Sequence, residues 1–270
     1  MRGASVGLEL QGKWALILGA SSGFGAATAR ELARHGMNIA GVHLDRRATL
    51  PLAEAVIHDV QAAGGSARFF NVNAADDEKR RDVIGRLGSE LGGAPVTTLM
   101  HSLAFGTLLP LVAHEGSEGQ VSRAQLEMTM DVMAHSLVYW VQDLVGAGLL
   151  RSGSRVFVMT SAGPTRVWPY YGVVAAAKAA VECHVRYLAA ELGRAGITVN
   201  AIRAGITDTP AVRRIPGWDR LLDAARAQNP SGRATAPEDV ARVIALLSRS
   251  EAQWLTGDVV GVDGGELYTV

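Results

Sequence analysis

The sequence predicts a doubly wound α/β fold, in which one parallel sheet of about seven strands carries helices on both faces. Short apolar runs alternate with longer stretches of helical periodicity along nearly all of the 270 residues. This alternation is typical of βαβ units. No linker rich in proline or serine, no repeat and no charge block divides the chain. We therefore expect a single domain over residues 1–270, with residues 1–11 as a flexible tail.

The predicted strands are short apolar runs at residues 14–18, 39–43, 67–72, 97–102, 155–160, 197–202 and 259–262. The predicted helices lie at 26–34, 52–62, 78–91, 123–149, 173–192, 221–227 and 237–247. The least regular segment, residues 205–220, contains Gly205, Pro210, Pro216 and Gly217. Such a composition predicts a mobile loop.

Composition excludes several classes of protein. Lys plus Arg and Asp plus Glu each total 26, and 48% of the residues are apolar. The chain therefore lacks the charge of a disordered protein and the basic excess of a nucleic-acid-binding one. No apolar run reaches the roughly 18 residues that a bilayer span needs, and the N-terminus has no secretory apolar segment. We expect a cytoplasmic protein with no nucleic-acid or membrane partner.

The sequence also gives no support for a disulfide bond, a metal site or a hydrolase active site. Cys183 is the single cysteine, so no internal disulfide can form. The seven histidines fit no metal-binding motif, and no metal is expected. Ser161 lacks the Gly-x-Ser-x-Gly elbow of many hydrolases.

A glycine-rich turn follows the first predicted strand. The chain reads Leu18-Gly19-Ala20-Ser21-Ser22-Gly23-Phe24-Gly25 and continues into a helical pattern. Glycines at such a turn let the backbone approach a pyrophosphate, and the helix N-terminus offers unpaired N–H groups. The pattern therefore predicts a dinucleotide site of Rossmann type, formed by Gly19, Ser21, Ser22, Gly23, Phe24 and Gly25. A tight turn without a ligand is the alternative.

Tyr171 and Lys178 are seven residues apart in a predicted helix. At about 100° per residue, their side chains share one face. An ammonium beside a phenol favours the phenolate, so we expect Lys178 to lower the pKa of Tyr171. A phenol so placed can bind a carbonyl or enolate oxygen and supply a proton. The alternative is an amphipathic helix with a surface lysine and a packed tyrosine.

The spacing Gly-x-x-x-Gly-x-Gly resembles that of the short-chain dehydrogenase/reductase superfamily, and the resemblance runs from Lys13 to Gly265. The later motifs look most like those of the enoyl-acyl-carrier-protein reductases. These motifs are His101-Ser102-Leu103-Ala104-Phe105, Tyr171 with Lys178, Asn200-Ala201-Ile202-Arg203-Ala204-Gly205, Asn229-Pro230-x-x-Arg233, and Val262-Asp263-Gly264-Gly265. The Tyr–Lys separation is that of enoyl reductases, whereas ordinary keto-reducing members place the tyrosine where Val174 stands here.

The resemblance implies NAD(P)H-dependent reduction of the C=C bond of an α,β-unsaturated thioester carried by acyl-carrier protein or CoA. Tyr171 would steady the enolate oxygen, with Lys178 on the nicotinamide ribose and Ser161 as a further catalytic residue. Two features depart from the enoyl pattern. The glycine turn has the form of ordinary members, and Ser161 stands where enoyl reductases often carry a second tyrosine. A carbonyl reductase or alcohol dehydrogenase therefore stays open, as does a non-catalytic dinucleotide sensor.

The resemblance also implies contacts to the cofactor at other strand ends, at His43, Asn73, Ser102, Leu103, Ala104, Lys178, Gly205, Ile206, Thr207 and Thr209. Of these, Ile206 or Thr207 would hold the nicotinamide amide. Arg46 and Arg47 suit the 2′-phosphate of NADPH, which favours NADPH over NADH, although Asp45 could instead hold the ribose of NADH.

Further expectations concern His101, the substrate and the assembly. His101 is expected to be a buried core histidine hydrogen-bonded to the backbone rather than a catalytic one. Ile215 and Trp218 are candidates to line an acyl pocket. The resemblance implies a homotetramer, with residues 266–270 against a neighbouring subunit.

Overall fold

The structure is a computed structural model that describes residues 9–117 and 119–268. Seven parallel strands form one sheet in the order β3-β2-β1-β4-β5-β6-β7. They are β1 (Trp14–Leu18), β2 (Asn38–His43), β3 (Ala67–Asn71), β4 (Val96–His101), β5 (Arg155–Thr160), β6 (Thr198–Ala204) and β7 (Val259–Val262). The chain changes direction across the sheet between β1 and β4, and this is where ligands bind in such folds.

Helices cover both faces of the sheet. They are α1 (Gly23–Arg34), α2 (Leu50–Ala62), α3 (Asp77–Glu90), α4 (Arg123–Met130), α5 (Ser136–Gly146), α6 (Gly172–Leu192), α7 (Trp218–Gln228) and α8 (Pro237–Leu247). One buried apolar cluster joins the sheet to α3, α5 and α6. A second cluster joins the opposite face to α1, α2 and α8. The predicted fold class is therefore confirmed.

The predicted helix at 123–149 is interrupted. A π-helical turn at Asp131–His135 separates α4 from α5. At the end of this turn, the hydroxyl of Ser136, the first residue of α5, donates to the carbonyl of Val132 at 2.7 Å. Because α4 and α5 both keep helical periodicity, the hydrophobic pattern did not mark the break.

The structure also differs from the sequence prediction at two segment ends. Residues 1–8 of the expected tail lie outside the described residues, but Leu10 is 2% exposed within the apolar cluster of α1 and α8. The Glu9 carboxylate accepts a hydrogen bond from the Ser250 amide at 2.6 Å. Near the other end, α7 begins at Trp218, which shortens the expected loop. No helix within residues 9–117 and 119–268 is long and apolar enough to cross a membrane.

Candidate functional site

The glycine-rich turn is closed by backbone contacts that exclude side chains. Gly19 has φ +90°, and a Cβ on it would lie 2.5 Å from the Ser102 carbonyl oxygen. A Cβ on Gly25 would lie 2.1 Å from the Gly19 carbonyl oxygen. The Ser102 amide donates to the Leu18 carbonyl at 2.8 Å, so the ends of β1 and β4 lie together. Only glycine fits at Gly19 and Gly25 without moving the backbone.

The start of α1 is arranged as an anion site. Ser22 is the N-cap in an extended conformation, and its side chain makes no capping hydrogen bond. The first turn of α1 contains no acidic residue. Its N–H groups and the positive end of the helix dipole are therefore suited to a phosphate. The methyl of Thr209 lies 3.4 Å from the Cβ position of Gly23, which brings the β6 loop to the same place.

A hydrogen bond joins two side chains at the end of β2. His43 Nδ1 lies 2.8 Å from Asp45 Oδ2, and both side chains are buried. Hydrogen bonds from Thr49, Ser21 and His43 outweigh burial and hold the pKa of Asp45 below its usual value. The predicted residues Arg46 and Arg47 are exposed, and neither side chain has a hydrogen-bond or ion-pair partner among the described residues.

The predicted catalytic residues meet where β5 ends and α6 begins. Tyr171 is the N-cap of α6 rather than a residue within the helix, but its backbone angles, φ −93° and ψ −2°, are close to helical. Its hydroxyl donates to Ser161 Oγ at 3.3 Å. Lys178 Nζ donates to the Met159 carbonyl at 2.8 Å. Tyr171 and Lys178 therefore contact adjoining parts of one strand end, and no hydrogen bond joins them directly.

The expected effect of Lys178 on Tyr171 was wrong for the protein without a cofactor. Burial raises the pKa of Tyr171 above 10.0, and the hydrogen bond with Ser161 only partly opposes this. Burial also lowers the pKa of Lys178 to about 8, with the Glu182 carboxylate opposing it. For the pKa values of Tyr171 and Lys178, burial therefore has a larger effect than attraction between opposite charges. The seven-residue spacing of these two residues in the sequence gives no information about their burial.

His101 is a core residue, as expected, but the hydrogen bond of its Nε2 is with a side-chain hydroxyl rather than with the backbone. It is fully buried at the end of β4, and its Nε2 lies 2.8 Å from Ser136 Oγ. Since that hydroxyl already donates to Val132, Nε2 carries the proton. Burial, followed by the charge of Lys178, lowers the pKa of His101 to about 3, so the ring is neutral.

The loop after β6 is anchored inside the protein. The Ile206 amide donates to the carboxylate of Glu266 at 3.1 Å, and Thr207 Oγ1 donates to the Gly205 carbonyl at 2.9 Å. Glu266 is buried, which raises its pKa, and Arg166 contacts the carbonyls of Glu266 and Leu267. Glu266 is thus held by contacts within its own chain. Residues 269 and 270 lie outside the described residues, and the expected contact of residues 266–270 with a neighbouring subunit stays a prediction. The Ile206 amide already has a partner, so Thr207 becomes the better candidate for the nicotinamide amide.

The other residues that were predicted to bind the cofactor differ in their contacts and in their exposure. Leu103 lies against Gly19, with its Cδ2 3.6 Å from the Cβ position of that glycine. Phe24 packs on the apolar cluster of α1 and α8. Ala104 and Asn73 are exposed, and the Asn73 side chain accepts a hydrogen bond from the Ala75 amide at 3.1 Å. Asn73 is thus partly engaged by its own turn.

An exposed apolar side chain, Leu111, lies against the first residue of α6. Phe105 and Leu111 are each more than half exposed, and Val167 is 99% exposed. Leu111 lies 3.2 Å from the Cβ position of Gly172, directly beside Tyr171. Of the two candidates for an acyl pocket, Ile215 is buried, whereas Trp218 is half-buried with Arg213 over its ring.

Comparison with known proteins matches this arrangement to one family. The model of the family described as enoyl-(acyl carrier protein) reductase matches residues 19–266. The chain belongs to this family. It is thereby a member of the short-chain dehydrogenase/reductase superfamily and an NAD(P)-dependent oxidoreductase.

Its relatives carry more than one activity. The chain is 30% identical over 263 residues to an enoyl-[acyl-carrier-protein] reductase [NADH] from Nostoc, covering 96% of this chain and 97% of that protein. It is also 30% identical over 268 residues to a 3-oxoacyl-[acyl-carrier-protein] reductase from Pseudomonas aeruginosa, covering 96% and 98%. The crystal structure of the NADH-dependent enoyl reductase from Aquifex aeolicus matches with a TM-score of 0.81 and 28% identity, over 95% of this chain and 97% of that chain.

Sequence reasoning missed three residues of the site. Glu182 binds Thr160 beside Lys178, and Glu266 anchors the β6 loop. An acid four residues after a buried lysine is a signal that could have pointed to Glu182. No local pattern connects Glu266 with Ile206, because 60 positions separate them.

Proposed function

We propose that this protein reduces the C=C bond of an α,β-unsaturated thioester, held by acyl-carrier protein or CoA, at the expense of NAD(P)H. The observation that carries the proposal is the position of the phenol relative to Lys178. Val174, four residues before Lys178, is buried and apolar. Tyr171, seven residues before Lys178, holds its hydroxyl at the end of β5. The acid group therefore stands in the enoyl reductase position, and the keto-reductase position has none.

The residues at the glycine turn fit a dinucleotide. The uncapped start of α1 suits the pyrophosphate, and Thr209 lies beside Gly23 as a further phosphate contact. Ser102 and Leu103 line the far side of the turn. When bound, a reduced nicotinamide supplies the hydride.

Tyr171 serves as a hydrogen-bond donor to the developing enolate. Because burial keeps its pKa above 10.0, the phenol is protonated at neutral pH and can stabilise negative charge on the thioester oxygen. Lys178 is charged at neutral pH, since its pKa of about 8 lies above that value. Its Nζ donates one hydrogen bond to Met159, which leaves further donors for the ribose hydroxyls.

NADPH is the cofactor that we propose. Asp45, which would bind the free ribose of NADH, already accepts hydrogen bonds from His43, Ser21 and Thr49. Arg46 and Arg47 are exposed and free to pair with a 2′-phosphate. If the Asp45 carboxylate bound the ribose instead, NADH would be favoured. The ratio of the dissociation constants of NADPH and NADH, once measured, decides between the two cofactors.

Carbonyl reduction is the second candidate, and the Ser161–Tyr171 hydrogen bond favours it. A serine beside the phenol is the arrangement of the keto-reducing members that the sequence resembles. A sensor without turnover would need neither Tyr171 nor Lys178.

Absorbance at the reduced-nicotinamide band distinguishes these functions. The protein is given NADPH with a crotonyl thioester, then with an acetoacetyl thioester, each on CoA and on acyl-carrier protein. Oxidation with crotonyl alone supports enoyl reduction, and oxidation with acetoacetyl alone rejects it. Tight NADPH binding without turnover on either thioester would identify a sensor.

We also propose a homotetramer in the cytoplasm, on the resemblance to the superfamily. Sedimentation velocity of the purified chain tests the assembly, and a monomer at micromolar concentration would contradict it.

A further inference from the structure

Three consecutive residues at the end of β5 bind three side chains on α6 and its N-cap. The Met159 carbonyl accepts from Lys178 Nζ at 2.8 Å, and Ser161 Oγ accepts from Tyr171 at 3.3 Å. Between them, Thr160 Oγ1 donates to Glu182 Oε1 at 2.7 Å. Two of these bonds belong to the proposed catalytic residues. The Thr160–Glu182 bond has no role in the proposed reaction.

Helix geometry places Glu182 next to Lys178. Side chains four positions apart lie on the same face, one turn apart. Thr160 is 5% exposed, and so is Lys178. The carboxylate of Glu182 therefore lies on the same helix face as a buried ammonium, without a direct ion pair, and is held there by a hydroxyl that is itself buried. A free carboxylate on a surface helix would need no such anchor.

We propose that Glu182 is a positioning residue, which acts through Thr160 and through its charge to keep Lys178 protonated and directed at the end of β5. The catalytic meaning of this role rests on the proposed function, but the effect on Lys178 itself does not. Without the carboxylate, the ammonium would be buried with no anionic side chain beside it on α6. Lys178 would then lose its proton at lower pH, and the cofactor would lose a cationic contact.

The groups that face Lys178 support this role. From β4, His101 is neutral and cannot compensate a positive charge. From the N-cap of α6, Tyr171 is a protonated phenol. Glu182 is the group that raises the pKa of Lys178 against the effect of burial. The carboxylate therefore decides how far above neutral pH the lysine stays charged.

Two substitutions separate the charge of Glu182 from its hydrogen bond. Glu182→Gln keeps an oxygen for Thr160 but removes the charge, and Thr160→Val removes the hydroxyl but keeps the charge. Glu191→Gln makes the same charge change at an exposed position of α6 and serves as the control. Glu182→Asp keeps the charge with a shorter side chain.

The ionisation of Lys178 can be measured without any activity. The chain has three lysines, Lys13, Lys79 and Lys178. Lysine labelled with ¹³C at Cε therefore gives three resonances, of which Lys178 is assigned by its loss in Lys178→Met. In Glu182→Gln, we expect the Lys178 titration to move to lower pH by about one unit. Glu191→Gln and Glu182→Asp should leave it near the wild-type position. Equal titrations in wild type and Glu182→Gln, or an equal shift in Glu191→Gln, would overturn the proposal.

The dependence of cofactor binding on pH tests the functional consequence. The dissociation constant of the more tightly bound reduced dinucleotide is measured by its fluorescence from pH 6 to pH 10. In Glu182→Gln, the loss of affinity at high pH should begin about one unit earlier. In Thr160→Val, affinity should fall at every pH without that displacement. A weakening in Glu182→Gln that is the same at every pH would reduce Glu182 to a structural role. Failure of wild type to reduce crotonyl thioester would reject the proposed function and leave both titrations interpretable.

Discussion

The glycine-rich turn and the junction of β5 with α6 lie at the same edge of the sheet, but different forces hold them. At the turn, a Cβ on Gly25 would lie 2.1 Å from a backbone oxygen. At the junction, Ser161, Tyr171 and Lys178 are held by two side-chain hydrogen bonds of 3.3 and 2.8 Å. The turn therefore has no room for an added Cβ atom. At the junction, by contrast, one side-chain oxygen can be removed by substitution without changing the backbone. Substitutions should affect stability at the first site and chemistry at the second.

The largest expected effect is on turnover, at the junction. Tyr171→Phe should lower turnover by about 10²–10³-fold, because it removes the donor to the enolate oxygen. Cofactor affinity and melting temperature should stay close to wild type, since the ring still packs on Gly163. Steady-state kinetics with crotonyl thioester measure the effect. Tyr187→Phe, at a 66% exposed tyrosine of α6, is the control. Unchanged turnover in Tyr171→Phe would show that another group is the donor.

At the turn, Gly25→Ala should reduce the free energy of unfolding by about 3 kcal/mol, because the new methyl displaces backbone. Cofactor affinity should fall with it, which distinguishes the turn from the junction. Denaturant unfolding and dinucleotide fluorescence measure the two effects. Gly88→Ala in α3 is the matched control, since nothing lies within 4 Å of its Cβ position. There, a stabilisation of about 0.5–1 kcal/mol is expected. If Gly25→Ala is as harmless as Gly88→Ala, the turn is not closed in this way.

Acid should destabilise the protein through His101. Its pKa is about 3 in the folded chain against 6.5 for an ordinary histidine. The unfolded chain therefore binds a proton that the folded one does not, and stability present above pH 6.5 is lost as the pH falls. The loss should reach about 2 kcal/mol at pH 5. Comparing unfolding at pH 7 and pH 5 in wild type and His101→Leu measures it.

The leucine variant should lose most of this pH dependence, because leucine does not titrate. The variant should still fold, since the Ser136 hydroxyl keeps its hydrogen bond to the Val132 carbonyl. The same comparison in His58→Gln, whose side chain is 82% exposed, should match wild type. A pH dependence that survives His101→Leu would assign the acid sensitivity to other groups.

The smallest expected effect concerns the rim of the cofactor site. Changing both Arg46 and Arg47 to alanine should weaken NADPH binding by about tenfold, the loss of one charge-assisted contact. NADH binding should not change, because it has no 2′-phosphate. Fluorescence titrations with both cofactors check this. Arg151→Ala, remote from the turn on the chain segment before β5, is the control. Equal weakening of NADH and NADPH would show that the arginines act on the pyrophosphate or on overall charge.

The sequence by itself determined the fold class, the glycine turn and the placement of Tyr171 and Lys178 at one end of β5. Periodicity and local spacing carry that information, because a strand, a helix and a tight turn are each set by neighbouring residues. The near-helical angles of Tyr171 preserved the predicted phase even though α6 begins at Gly172. A turn in which backbone atoms approach closely requires glycine, so its glycines in the sequence predict it.

Only the tertiary structure decided how these groups are protonated and which residues support them. The pKa of Tyr171 rises rather than falls because burial acts on it, and burial depends on every element that packs around the phenol. The links of Glu182 to Thr160 and of Glu266 to Ile206 join residues 22 and 60 positions apart. Such contacts form when strand ends and loops come together in the folded chain. No local sequence pattern therefore predicts these two hydrogen bonds.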